Sequence, residues 1–171
     1  MDDAPRVYLV GELNPYGTEA EYALYPLPER SAGGRLCSLI LGMNRGAYCR
    51  IFERRNLCVG KWSALAARHA AEAIRKEAVG GVVVLLGSKV SKAFQVPFEP
   101  FSVLHENSVE ACRHRDLAAG EEVRAIAVLP HPSGLCRLWN EWDSIPRARR
   151  AVLDAAPHLS HYVGKVDATE G

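Results

Sequence analysis

The run Val82-Val83-Val84-Leu85-Leu86 constrains the fold more than any other stretch of the chain. Five apolar residues in a row do not alternate between core and water, so a strand built from them is covered on both faces. Two further runs have the same character: Arg6-Val7-Tyr8-Leu9-Val10-Gly11, which ends in a glycine and an Asn-Pro turn, and Ala125-Ile126-Ala127-Val128-Leu129, which ends in Pro130. Helical patterns separate them. From Ser63, a suitable N-cap, the small or apolar positions Leu65, Ala66, His69, Ala70, Ala73 and Ile74 recur at helical spacing opposite Arg68, Glu72, Arg75 and Lys76, and Gly80-Gly81 stops the pattern. A helix is predicted near Arg35, after a loop from Tyr22 to Gly34 broken by Pro26, Pro28, Gly33 and Gly34. A short helical stretch runs to Phe94, and a last helix runs from Ile145 to Ala155 with Pro146 in its first turn. Apolar strands alternating with helices imply an α/β fold with a parallel sheet and right-handed crossovers. At 171 residues the chain has the size of one domain, with a core over residues 6–155 and a tail over 156–171. Residues 95–120 carry no regular pattern and have room for an inserted hairpin.

No stretch reaches the roughly 18 apolar residues of a membrane span, and Met1-Asp2-Asp3-Ala4-Pro5 lacks the layout of a signal peptide, so a cytoplasmic protein is expected. Cys37, Cys49, Cys58, Cys112 and Cys136 are an odd number without a CxxC pair, which supports neither a disulfide framework nor a zinc ribbon. They read as reduced thiols, mostly buried. The net charge of +1 is unevenly spread: residues 1–34 sum to minus four, whereas residues 35–76 hold nine Lys or Arg against Glu53 and Glu72. That excess is either a surface for phosphates or a solvated helix face.

Ligands of open parallel sheets bind beyond the C-terminal ends of the strands, which singles out Gly11 to Gly17, Gly87 to Lys89 and Pro130 to Arg137. Gly87-Ser88 after a strand is either an anion cradle or an ordinary helix cap, the cap being the simpler reading. No GxxxxGK[ST] or GxGxxG is present. In Pro130-His131-Pro132-Ser133-Gly134 two prolines hold the backbone around one imidazole, which is either placed for a ligand or a structural hydrogen-bonder. Ser133 either contacts a phosphate or satisfies the turn. Asn14, held extended by Pro15, can position a ligand but cannot titrate.

Taken together, these pieces resemble the uracil-DNA glycosylase superfamily. Ala127-Val128-Leu129-Pro130-His131-Pro132-Ser133-Gly134-Leu135-Cys136-Arg137 is similar to the second active-site motif, especially that of the mismatch-specific uracil/thymine branch. VGELNPYG (Val10 to Gly17) is similar to the first motif, and VVVLLGSKVSKAF (Val82 to Phe94) to the strand-Gly-helix segment between them. His131 is typical of the uracil-specific branches, whereas Gly134-Leu135-Cys136-Arg137 follows the mismatch branch, and Glu12-Leu13 and Tyr16-Gly17 match no single branch.

The resemblance implies a three-layer α/β/α domain with a mostly parallel four-stranded sheet, working without cofactor or metal as a monomer on uracil-type bases in double- or single-stranded DNA. It implies that Asn14 orients the attacking water and that His131 donates a hydrogen bond to the base oxygen, where charge develops as the glycosidic bond breaks. Gly11, Tyr16 and Tyr25 would line or stack on the flipped base. Leu135, with Cys136 and Arg137, would fill the gap left in the duplex, while Ser133, Gly134, Ser88 and Lys89 would lie against the DNA backbone. A catalytically silent binder of nucleic acid or nucleotide, and a hydrolase or transferase of free nucleosides or nucleotides, are the alternatives.

Overall fold

The computed structural model describes residues 4–14, 19–105 and 122–165. The three apolar runs form adjacent parallel strands, β1 (Val7–Leu13), β3 (Val82–Leu86) and β5 (Ala125–Leu129). Two edge strands complete the sheet, β2 (Phe52–Cys58) beside β1 and β4 (Val103–His105) beside β5, in the order β2-β1-β3-β5-β4. All pairs are parallel except β4 with β5. Among the described residues the sheet therefore has five strands instead of the expected four. Neither edge strand, β2 or β4, was read from the sequence.

Every residue of β3 and β5 is buried, as their unbroken apolar runs require. Alternate side chains enter two cores. Val7, Leu9, Val84, Leu86, Ala127 and Leu129 meet one helical layer. Tyr8, Val10, Val83, Leu85, Ile126 and Val128 meet the other. Each fully covered Val or Leu contributes about 1.5–3 kcal/mol, so the two layers hold the central strands firmly.

The first layer contains α1, which starts at Ala32–Gly34 and widens into π-helical turns over Arg35–Ile40, α2 (Arg45–Ile51) and α5 (Ser144–Ala155). The Leu41 N–H donates to the Leu36 carbonyl at 2.8 Å, the five-residue spacing of a π-turn. This helix begins earlier than Arg35 because Gly33 and Gly34 press against the carbonyls of Tyr25 and Pro28, an approach that any Cβ would block. The second layer contains α3 (Ala64–Glu77) and the short α4 (Ser88–Ala93). The Ser63 hydroxyl accepts from the Ala66 N–H at 3.3 Å, so the predicted cap is formed.

The segment expected as a tail packs into the core: after α5 a 3₁₀ turn over Pro157–His161 buries Leu159, and Val163 follows it inward. Among the described residues no helix is long and apolar enough to cross a membrane. Of the cysteines, Cys37 and Cys58 are buried, Cys136 is half-buried and Cys49 is exposed; Cys112 lies outside the described residues. Burial pushes the Cys37 thiol up to about 11.

Candidate active site

The parallel order puts the C-terminal ends of β1, β3 and β5 side by side, with the chain leaving β1 and β3 toward opposite edges. Such a divergence opens a crevice at the strand ends, where Gly11 to Asn14, Gly87 to Lys89 and Pro130 to Arg137 lie; residues 15–17 of the first loop are outside the described residues.

Gly11 sits near the end of β1 opposite Asn56 of β2. A Cβ there would meet Asn56 Oδ1 at 2.6 Å and Leu24 Cδ2 at 3.1 Å, so glycine is what lets the carboxamide and the leucine approach. Beyond them lies a cavity of about 240 Å³ whose walls include Asn14, Asn56, Leu24, Tyr22 and Tyr25. Its size suits one planar heterocycle, being smaller than the roughly 300–1,000 Å³ of drug-sized sites. Two carboxamides in a mostly apolar and aromatic wall provide donors and acceptors for the edge of such a ring.

The aromatic wall is held from behind. Tyr22 and Tyr25 meet edge to face at 5.9 Å, and Arg54 lies 5.5 Å from the centre of the Tyr25 ring. Arg54 Nη1 donates to the Ala23 carbonyl at 3.0 Å and Tyr48 Oη to the Leu24 carbonyl at 2.9 Å. These bonds bracket Leu24, whose φ of +49° is unfavourable for a branched side chain. Tyr48 is fully buried, which pushes its phenol far above the ordinary value and keeps it a donor.

His131 stands at the end of β5, not in the cavity wall. Its Nδ1 accepts the Ser133 N–H at 3.2 Å and its carbonyl accepts Trp139 Nε1–H at 2.7 Å. With Nδ1 occupied as an acceptor, the neutral imidazole carries its proton on Nε2. Burial pushes His131 below its ordinary value, the carboxylate of Glu12 pulls it back up, and Lys89 lowers it. The ring therefore presents an N–H donor without a full positive charge.

Across from it is Gly87, with φ of +100°. A Cβ on Gly87 would lie 3.2 Å from His131 Cβ and 3.4 Å from Glu12 Oε1. Glycine is what lets the start of α4 pack this closely against both residues. Gly87 occupies the N-cap position of α4, the simpler of the two readings, and no side chain bonds to the helix start there. Ser88 is exposed in the first turn, and Lys89 Nζ lies 3.8 Å from Glu12 Oε2 and 5.4 Å from the Trp62 ring centre.

The loop after His131 is tied to the cavity by Arg35. Its Nε donates to the Pro132 carbonyl at 2.9 Å, and its guanidinium lies beneath Gly134. Arg35, the first residue of the π-helical part of α1, follows directly on the turn whose Gly33 lines the cavity. At the tip of the loop Leu135 is 92% exposed, which is unusual for a leucine and suits a residue that enters a partner. Arg137 is exposed in a 3₁₀ turn, Arg137–Asn140, and Cys136 is half-buried before it. Trp139 fixes that turn through its bond to His131 and its packing on Phe101 at 5.8 Å.

The fold thus gathers Asn14 and Tyr25 in the cavity wall, with Gly11 behind Asn56 and Leu24, and His131, Ser133, Gly134, Leu135 and Lys89 around the adjoining strand ends. Tyr16 lies outside the described residues. Ser133 serves the histidine through its backbone N–H, the turn-satisfying alternative. The sequence reading missed Asn56, Arg35, Tyr22 and Trp139. It also treated Glu12 only as a departure from a motif.

The basic segment 35–76 is largely occupied internally. Arg35 and Arg54 bind loop carbonyls, and Arg55 bridges Glu53 at 3.3 Å and Glu77 at 2.8 Å. Arg68 faces Glu72 at 3.9 Å, and Arg75 donates to the Phe94 carbonyl. Comparison of the chain with protein-family models, with characterised proteins and with solved structures finds no match.

Proposed function

We propose that the protein is an N-glycosidic hydrolase that removes a uracil-type base from DNA after flipping the nucleotide out of its stack. The observation that carries this reading is His131: a half-buried neutral imidazole whose Nδ1 is filled by the Ser133 N–H, leaving Nε2–H as the donor at the strand ends. Cleaving a glycosidic bond leaves negative charge on the base oxygen, and a fixed donor favours that charge more than the uncharged ground state. The base stacks against Tyr25, and Asn56 reads its edge. Asn14 holds the attacking water, and Leu135 occupies the vacancy left in the strand. The enzyme acts in the cytoplasm as a monomer and without a cofactor.

The test is incubation with labelled duplexes and single strands carrying uracil, thymine opposite guanine, hypoxanthine or ethenocytosine, followed by alkali to cut abasic sites. The reading requires cleavage of at least one, and loss of several orders of magnitude in single-turnover rate for His131→Ala and Asn14→Ala with the fold intact. No cleavage of any substrate refutes it.

One observation favours a second reading, hydrolysis or transfer on free nucleosides or nucleotides: Arg35, Arg54, Arg55, Arg68 and Arg75 have internal partners and leave little of the basic segment for phosphates. Salt separates the two. Binding to DNA weakens steeply as salt rises, whereas binding of an uncharged nucleoside does not.

A further inference from the structure

We propose that the groove between β4 and α5 is a docking site for an extended acidic segment of another protein, which adds a strand to the outer edge of β4. The base cavity lies on the β1 and β2 side of the sheet and this groove at the opposite edge, so the two sites are separate. The two edge strands differ in character. β2 carries Glu53, Arg54 and Arg55, the kind of charged edge that discourages pairing with another chain, whereas β4 is Val-Leu-His. Among the described residues no strand pairs with the outer side of β4. The Ser102 carbonyl accepts the Val128 N–H at 2.9 Å. By the alternation of an antiparallel ladder Leu104 also turns its backbone groups toward β5, and Val103 and His105 turn theirs outward.

Beside these outward groups the groove encloses about 830 Å³, over three times the volume of the base cavity. Half-buried Phe101, Val103 and Leu153 line it, and α5 adds Arg147, Arg149 and Arg150. At one end Arg147 lies over the Phe101 ring at 4.5 Å, and at the other Asp154 faces His105 at 3.5 Å. Arg147 is matched by Glu141 at 3.4 Å and Asp143 at 4.0 Å, so it braces its end of the groove. Arg149 donates to the carbonyls of Ile40 and Leu39, which leave its charge uncancelled, and Arg150 is exposed. Among the described residues neither of these two lies within 4 Å of a carboxylate. An added strand therefore bonds to the outward groups of Val103 and His105, sets apolar side chains against Phe101, Val103 and Leu153, and is chosen for its carboxylates by the arginines. A second copy of this chain would bring the same arginines together across a twofold axis, which disfavours self-pairing.

An array of short peptides tests this on the full chain, each with valine or leucine at alternate positions and glutamate, lysine or serine between them. Glutamate peptides should bind more tightly than lysine peptides by about tenfold or more, with the preference shrinking as salt rises. Arg150→Glu should abolish the preference; the position is exposed, so the substitution leaves the fold intact. When the best glutamate peptide is bound, hydrogen exchange at the Val103 and His105 N–H groups should slow by about tenfold or more, while that of Leu104, already turned to β5, changes little. The same peptide N-methylated at alternate residues should not bind. Equal binding of glutamate and lysine peptides, a preference that survives Arg150→Glu, unchanged exchange at Val103 and His105, or full binding of the N-methylated peptide overturns the proposal. So does self-association in sedimentation that protects the same two N–H groups, which makes the occupant a second copy. Displacement of the peptide by single-stranded oligothymidine also overturns it, because the groove is then a nucleic-acid face.

Discussion

Replacing Gly87 by alanine tests the organisation of the strand ends most directly. Gly87 has φ of +100° and ψ of 165°, a region essentially restricted to glycine, where another residue costs about 1–3 kcal/mol. The new methyl group would also lie 3.2 Å from His131 Cβ and 3.4 Å from Glu12 Oε1, so the neighbours must give by a few tenths of an ångström. Overpacking of this kind adds about 1 kcal/mol, for a total near 2–4 kcal/mol. A chain of this length loses about 2–4 °C in melting temperature per kcal/mol, so thermal denaturation should show a fall of roughly 5–15 °C, with a matching shift in the urea midpoint. The close contact is to Cβ, which alanine retains. In a His131→Ala background the penalty should therefore be the same within about 0.5 kcal/mol, because the strain lies in the backbone and at an atom both proteins share. A Gly87→Ala variant within about 0.5 kcal/mol of the wild type would refute this account of the packing at Gly87.

Four other outcomes are expected. His131 has a lowered folded value, so its neutral form contributes stability that is complete above the unfolded value of about 6.5 and is lost as pH falls toward the folded value. An NMR titration of His131 with a midpoint at or above the ordinary value contradicts this, as does cleavage that declines before that value is reached. Arg35→Met removes the 2.9 Å bond to the Pro132 carbonyl; it should cost about 1–2 kcal/mol in urea denaturation and speed hydrogen exchange at the Ser133 N–H, whereas unchanged exchange means the arginine does not brace the loop. Asn56→Ala should weaken binding of the free base, by calorimetry, by about 1–3 kcal/mol, and equal affinity removes Asn56 from the base site. Leu135→Ala should leave stability within about 0.5 kcal/mol, since the side chain is 92% exposed, while weakening duplex binding; undiminished binding ends its part as a wedge.

What could be read in the sequence and what could not divide along the range of the interactions. β1, β3 and β5 are legible because burial on both faces demands apolar residues at every position, and the Ser63 cap because its bond is local. β2 was hidden: Phe-Glu-Arg-Arg-Asn-Leu-Cys has no apolar alternation, yet an edge strand accommodates charges when they have partners. Here Arg54 and Arg55 lie over Tyr25 and Tyr8. Missing that strand meant missing Asn56, which reaches the cavity only because the parallel register sets it beside Gly11. Arg35 was invisible for the same reason, since its partner Pro132 is 97 residues away and nothing near either residue announces the bond. The second-motif histidine was legible as a fixed imidazole, but its tautomer depends on a backbone N–H two residues on, and its surroundings on two other strands. Glycines carry part of this long-range information. Gly11 and Gly87 look like ordinary turn residues in the sequence, and in the fold each marks a place where a side chain would press on a neighbour at the strand ends, Asn56 and Leu24 at one and Glu12 and His131 at the other. A glycine at the C-terminal end of a buried parallel strand is therefore worth testing as the floor of a site before it is taken for a turn.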